Sequence, residues 1–396
     1  MTMLTEVQIQ TTLNFTQKMI QTPSVNGQHN ERAMAEEMIA FANSLELDTE
    51  ILALEEERPC ALVHLGPKEQ TGLLLIGHMD TVPVGDESNW EYPPFSGEIS
   101  GNQMYGRGAI DNKGGIAAAM AALWWLRENA LEELKMSVTL IGVPDEESGA
   151  TGRLGIKYLQ EIGKLQGKGA IYVYPDSDRT NIGHRGVWRI KLTTRGQSFH
   201  SGSLDWQDTD RSHNAVTGMA EIIGGLERLT FPRPAASSFF EDKETVITPT
   251  VITGGSGPSM VPDICEAHVD MRLVPDVPRK EIEDAIQGLV ADVIQRRPSL
   301  QASVETETYL PPTIIPDDAE VLTALRASVR EVLDIDPAVQ VSGPANESYL
   351  LNGYGIPTCT YGPDGAGAHA NNEYVEIDSI FKVAEVYAQT ALKLCS

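Results

Sequence analysis

Apolar positions recur along this chain with two different periods, and the alternation between them outlines the fold. Residues 4–21 and 30–46 repeat apolar side chains every three to four positions and predict amphipathic helices. Residues 51–66 and 72–77 predict strands. The second carries Leu73–Ile76 as a continuous apolar run closed by Gly77, the pattern of a strand buried on both faces. A helix over 112–129, a strand over 136–143, a helix over 149–163 and a strand over 169–174 follow. Strands alternating with helices predict a mostly parallel sheet covered by helices.

The pattern changes after GHRG (183–186). VWRIKLTTRG alternates with period two, HNAVTGMAEIIGGLERL is helical, and TVITPTVITGG and ICEAHVDMRLV read as strands. EIEDAIQGLVADVIQ is again helical and ASVETETYL is a last strand. This βαββαβ order predicts a small antiparallel sheet with helices on one face. The proline-rich YLPPTIIPDD reads as a return linker, and 317–396 supply helix, strand, helix, strand and helix. The predicted fold class is α/β: a mostly parallel, helix-covered sheet built from residues 1–186 and 312–396, with a βαββαβ domain inserted over 187–311.

Composition narrows the function classes. A formal charge of −26 argues against nucleic acid or an anionic membrane as a partner, since both require a basic surface. The first residues, MTMLTEVQIQTTLNFTQKMI, lack a basic segment ahead of a long apolar core. They read as a helix rather than a signal peptide, and no run approaches membrane-spanning length. Cys60, Cys265, Cys359 and Cys395 are scattered, with no CxxC pair. That usage predicts a reducing, cytoplasmic setting and argues against a disulfide framework or a thiolate zinc site.

Five polar clusters fall at predicted strand ends. His78 and Asp80 are two apart on a strand, so they point the same way, while Met79 points into the packed side. An imidazole and a carboxylate aimed together form half a metal site. Asp111 lies where glycines give way to a helix, and a helix cap is its bland reading. Pro144-Asp145-Glu146-Glu147 reads either as a solvated acidic loop or as ligands, and Asp176 and Asp178 read as a turn or as ligands. His369 sits in the glycine-rich GPDGAGAHANNEYV. Ligands of open α/β sheets bind at the carboxyl ends of strands, and all five clusters fall there. Imidazoles with carboxylates and no thiolate suit zinc, manganese or cobalt, and a pair of such ions shares a carboxylate and holds a hydroxide between them. His29, His64 and His268 are expected to face solvent.

GHMDTVPVG, YGRGAIDNKGG, PDEESGATG, GHRG, GQSFHSG, HNAV and GPDGAGAHANNEYV occur in an order that resembles the di-zinc peptidases and amidohydrolases: aminoacylase, acetylornithine deacetylase, succinyl-diaminopimelate desuccinylase and glutamate carboxypeptidase. The resemblance runs from about residue 5 to residue 390 and implies a catalytic domain carrying an inserted lid that also mediates dimerisation. It implies two divalent ions, zinc first, with cobalt or manganese as substitutes. His78 and His369 would each hold one ion and Asp111 would bridge them, with Glu147 as a further ligand. Asp80 would steady His78 and Glu146 would be the general base. His200 of the lid would polarise the scissile carbonyl, from its own chain or from a two-fold partner, and Arg272 would meet a substrate carboxylate. A cis peptide between Asp111 and Asn112 is implied too.

This chain departs from the pattern at three places. The family's Glu-Pro pair stands here as Tyr174-Pro175, and the nearest carboxylate is Asp176, taken as the fifth metal ligand. Ser259 replaces a lid asparagine. The spacer SLDWQDTDRSHNAV is long. The expected activity is deacylation of a small N-acyl amino acid, with exopeptidase cleavage of small peptides as the alternative. A non-catalytic metal-containing binding protein is the alternative from another class, and it would need the ligands but not the extra acid Glu146.

Overall fold

The computed structural model describes residues 3–208, 210–235 and 238–396. Met1 and Thr2, ahead of the first predicted helix, and Thr209 of the long lid spacer lie outside the described residues. Contacts divide the chain into two compact units, one of residues 1–183, 314–342 and 346–396 and one of residues 184–313 and 343–345.

The larger unit is built on a sheet in the order Asp48–Leu52, Cys60–Leu65, Ser137–Val143, Thr71–His78, Gly169–Tyr172, Thr358–Thr360, Arg179–His184. Its centre is parallel: Thr71–His78 pairs in parallel with both Ser137–Val143 and Gly169–Tyr172, and Thr358–Thr360 with Gly169–Tyr172. Pairing turns antiparallel towards the edges. Every residue of Ser137–Val143 is buried, as expected of a parallel strand covered on both faces. Glu6–Gln21, Arg32–Ser44, Gly114–Asn129, Glu320–Leu333 and Ile377–Cys395 supply the helices. Thr5 starts the first with a reciprocal cap, its hydroxyl accepting from Gln8 N–H while the Gln8 side chain accepts from Thr5 N–H. The four cysteines are free and buried. Among the described residues no helix is long and apolar enough to cross a membrane.

In the smaller unit, an antiparallel sheet runs Val246–Gly254, Ile264–Leu273, Gly186–Arg195, Gln301–Leu310. Ile264–Leu273 alternates buried with half-buried positions along its length. Helices Ala215–Leu226 and Arg279–Arg296 bury Met219, Ile222, Ile282, Ile286 and Val293. The strand leading towards His200 is internal, so the free edges are Val246–Gly254 and Gln301–Leu310.

Three expectations are corrected. The strand over 51–66 is two strands, because the acidic loop 53–59 ending in Pro59 breaks the ladder. The helix over 149–163 shrinks to Ile156–Glu161, since Gly149, Ala150 and Gly152 take positive φ values of 115°, 52° and 62°. His64 is half-buried and meets Thr139 Oγ1 at 3.0 Å rather than facing solvent.

Candidate metal centre

Because the central strands are parallel, their carboxyl ends open onto one edge of the sheet, and His78, Glu146, Glu147 and Tyr174 follow directly from them. His78 is the last residue of its strand, paired with Val143, and Met79 N–H continues the ladder to Val143 O at 2.8 Å. Met79 is fully buried, as its alternation with His78 predicts. Glu146 and Glu147 begin just beyond the neighbouring strand. Tyr174 lies just beyond Gly169–Tyr172, and His369 lies in the loop beyond Thr358–Thr360.

Asp111 is aimed by a clamp. One oxygen of the buried Glu373 accepts from the backbone N–H groups of Ile110 and Asp111, both at 3.1 Å. The other accepts from Gly108 N–H at 3.0 Å and from Arg107 Nη1 at 2.7 Å. Asn112, across a cis peptide from Asp111, receives His78 N–H on its Oδ1 at 3.1 Å. Neither Glu373 nor Arg107 was singled out from sequence. The available signal was that both lie inside glycine-rich motifs where a charged residue has little packing reason to be.

Asp80 acts differently from expectation. His78 Nδ1 lies 2.9 Å from the carbonyl oxygen of Asp80 and 3.6 Å from its carboxylate. The carboxylate instead accepts from the N–H groups of Glu146 and Glu147 at 3.1 and 3.0 Å, and from Asn26 at 2.9 Å. The backbone carbonyl thus fixes the His78 tautomer, leaving Nε2 facing Asp111, and the Asp80 side chain fixes the two glutamates. Arg58 supports the same loop from behind, reaching Asp145 Oδ1 at 3.1 Å while its Nε pairs with the fully buried Glu31 at 2.8 Å.

The ligand atoms converge. His78 Nε2 lies 3.0 Å from Asp111 Oδ1, while His369 Nε2 lies 3.4 Å from Asp111 Oδ2 and 3.0 Å from Glu147 Oε1. The two oxygens of one carboxylate therefore face two different imidazoles. Two groups of possible ligand atoms, each mutually within 4.8 Å, result: His78 with Glu146 and Glu147, and Asp111 with Glu147 and His369. Burial opposes ionisation of the Asp111 carboxyl, but bonds from His369 and His78 outweigh it and hold the pKa below the usual carboxylate range. Burial likewise depresses His78, and the Asp111 carboxylate with Glu146 and Glu147 carries its pKa well above the ordinary value. His369 is pushed up to about 10 by its bonds to Asp111 and Glu147. Burial raises Glu146 well above the ordinary value and Asp80 to about 6. Several carboxylates compressed around two imidazoles, without a thiolate, fit divalent cations, whose charge relieves the crowding.

Asp176 does not join either group. Its backbone takes a φ of +91°, and its half-exposed carboxylate lies 3.5 Å from Arg179 Nε. The turn that carries it therefore directs it to a neighbouring cation, against the expectation of a fifth ligand. His200 and Arg272 belong to the smaller unit. His200 is exposed, and its Nδ1 accepts Gly202 N–H at 3.1 Å, so Nε2 is the ring position left to donate. Arg272 pairs with Asp270 at 2.8 Å. Beside it stands Arg185, missed from sequence, whose Nη2 donates to Glu244 O at 2.8 Å and whose pKa is lowered by burial and then by the Arg272 charge.

Comparison with known proteins places the chain among its relatives. Acetylornithine deacetylase of Salmonella paratyphi B is 28% identical over 329 residues, covering 82% of this chain and 80% of the relative. Among solved structures, aminopeptidase PepT from Bacillus cereus superposes with a TM-score of 0.78 at 17% identity, over 98% of this chain and 99% of its own. A dinuclear metal binding peptidase of the M20 family from Bacillus subtilis superposes at 0.74 and 16%, over 99% of each chain. Residues 74–393 match the profile of Peptidase family M20/M25/M40, and the chain belongs to that family.

Proposed function

We propose that the protein hydrolyses the amide bond of a small N-acyl amino acid, with two divalent ions, zinc first and cobalt or manganese as substitutes, held by His78, Asp111, Glu147 and His369. The observation that carries this reading is Asp111, whose two oxygens each face a different imidazole at 3.0 and 3.4 Å. When bound, such ions supply Lewis acidity to the carbonyl and lower the pKa of a water between them. Glu146, adjacent to the ligands and raised by burial, takes up the water's proton and returns one to the departing amine. Asp80 holds the Glu146 and Glu147 backbone while this occurs. His200 donates Nε2–H to the developing oxyanion, and Arg272, with Arg185 beside it, receives the substrate carboxylate. We further propose that the protein is cytoplasmic and homodimeric through the smaller unit, a partner supplying His200.

An exopeptidase reading rests on the likeness to an aminopeptidase, as the deacylase reading rests on the likeness to a deacetylase. Screening zinc- and manganese-loaded protein against N-acyl amino acids and against di- and tripeptides tests both. Release of the free amino acid from N-acyl substrates is expected. Cleavage of peptides alone would replace the deacylase reading, and no turnover of either class would contradict both.

A further inference from the structure

Two ions sharing Asp111, as proposed above, would have to divide the other ligands between them, and the side chains around the two imidazoles are unevenly placed. Around His369, Glu147 lies at 3.0 Å and Asp111 at 3.4 Å, so two carboxylates serve one imidazole. Around His78 Nε2, Asp111 lies at 3.0 Å, and among the described residues the other carboxylates that could share an ion with it are Glu146 and Glu147. Glu147 is already bonded to His369, and Glu146 is the group assigned to move protons. Asp176 stays with Arg179; the charges acting on it are those of Arg179, Asp178 and Asp364.

What stands beside His78 is a tyrosine. The Tyr174 ring centroid is 5.6 Å from that of His78, with the planes at 47°, and the ring also stacks on Tyr172 at 4.9 Å and 27°. The phenol lies in the field of the site: after burial, the charges that raise its pKa include Glu146, Asp111 and Glu147. A neutral phenol at this place brings no negative charge to a cation. The sequence agrees, since Tyr174 occupies the glutamate position of the family's Glu-Pro pair.

We propose that the two ion positions are unequal: the position on His369 and Glu147 binds tightly, and the position on His78, with Tyr174 where a carboxylate of its own would stand, holds its ion weakly and exchanges it. This rests on the di-metal reading above. Losing even an outer partner of a ligand costs about 10–100-fold in metal affinity, so a missing carboxylate beside His78 sets a gap of at least about tenfold. At limiting free ion the protein would carry one ion per chain, and the occupancy of the His78 position would follow the free concentration.

Calorimetric titration of metal-free protein with zinc, with bound metal measured after equilibrium dialysis, tests this in wild type, Tyr174→Glu and Tyr174→Phe. The wild type should bind two ions in steps separated by at least about tenfold. Tyr174→Glu should tighten the weaker step by at least about tenfold without moving the stronger one, and Tyr174→Phe should leave both in place. Two equally tight ions in wild type would overturn the proposal, whether or not the glutamate variant folds. So would a weaker step that Tyr174→Glu, shown folded by circular dichroism, leaves unchanged. Two tight ions that become one in Glu146→Gln would show that Glu146 supplies the missing ligand. Binding of no ion at all would refute the di-metal reading itself, a result distinct from equal binding.

Discussion

At the scale of single residues, Glu146 and Glu347 show how burial sets proton affinity around the site. Glu146 is buried and held through its backbone by Asp80, yet it is not needed to complete either imidazole's partnership with Asp111. Glu146→Gln should therefore keep its metal while turnover falls about 10²–10⁴-fold, the usual contribution of a general base. Metal content by elemental analysis and turnover on the same sample check this. Loss of metal in Glu146→Gln but not in Glu147→Gln would reverse the two roles.

Glu347 lies behind the site, fully buried, with Tyr172 Oη donating to its Oε2 at 3.2 Å and no partner for Oε1 among the described residues. Burial, then the Asp80 charge, pushes its carboxyl up from 4.5 to about 8. The folded chain thus keeps a proton that the unfolded chain loses above its own lower pKa. Stability from this group is complete at low pH and is lost as pH rises towards about 8, by up to a few kcal/mol. Glu347→Gln cannot ionise in either state, so its thermal midpoint should fall less between about pH 5 and about pH 8 than the wild-type midpoint. Parallel slopes would show that Glu347 is not buried as an acid.

At the scale of elements, the sequence displayed the ladder of strand ends but not the connections between them. His78, Glu146 and Glu147 were legible because strand periodicity places residues at carboxyl ends, whereas Asp111, beyond the short strand Gln103–Tyr105 of a separate sheet, and His369, beyond Gly365–Ala366, were legible from their glycine-rich motifs. The structure brings all five together. Asp176 was misplaced because it sits in a turn with a positive φ, invisible in a hydrophobicity pattern, and its carboxylate lies beside Arg179. The Glu373 clamp and the Arg58 brace were not legible, since each joins segments far apart in sequence, 265 residues apart for Glu373 and Gly108.

Close helix packing is the element-scale constraint with the sharpest consequence. The helix Gly114–Asn129 begins three residues beyond Asp111 and meets the sheet at Gly115, where a Cβ would lie 2.1 Å from Val173 O. The contact is with backbone, so the helix itself would have to move. Gly115→Ala should destabilise the protein by about 1–3 kcal/mol or more, the cost of overpacking, and weaken metal binding through Asp111. Chemical denaturation checks the first effect and metal titration the second. An unchanged denaturation midpoint would mean that the helix approaches the sheet less closely than described.

At the scale of the whole molecule, the larger unit carries the proposed ligands and the smaller unit carries His200 and Arg272, and a two-fold partner is proposed to complete each site. Chains with His200→Ala mixed with chains with Glu146→Ala should then regain activity, up to about a quarter of wild type, since half of randomly paired dimers are mixed and each has one intact site. No recovery after demonstrated subunit exchange would assign His200 to its own chain.

Amide hydrolysis is proposed to run on divalent ions held by His78, Asp111, Glu147 and His369. The most direct measurement is turnover of an N-acyl amino acid before chelation, after chelation and after return of zinc, cobalt or manganese, with bound metal counted at each stage. Activity should vanish with the metal and return with it, and Asp111→Asn, which weakens the shared ligand, should fail to recover. Full turnover by protein shown to be metal-free would contradict the account.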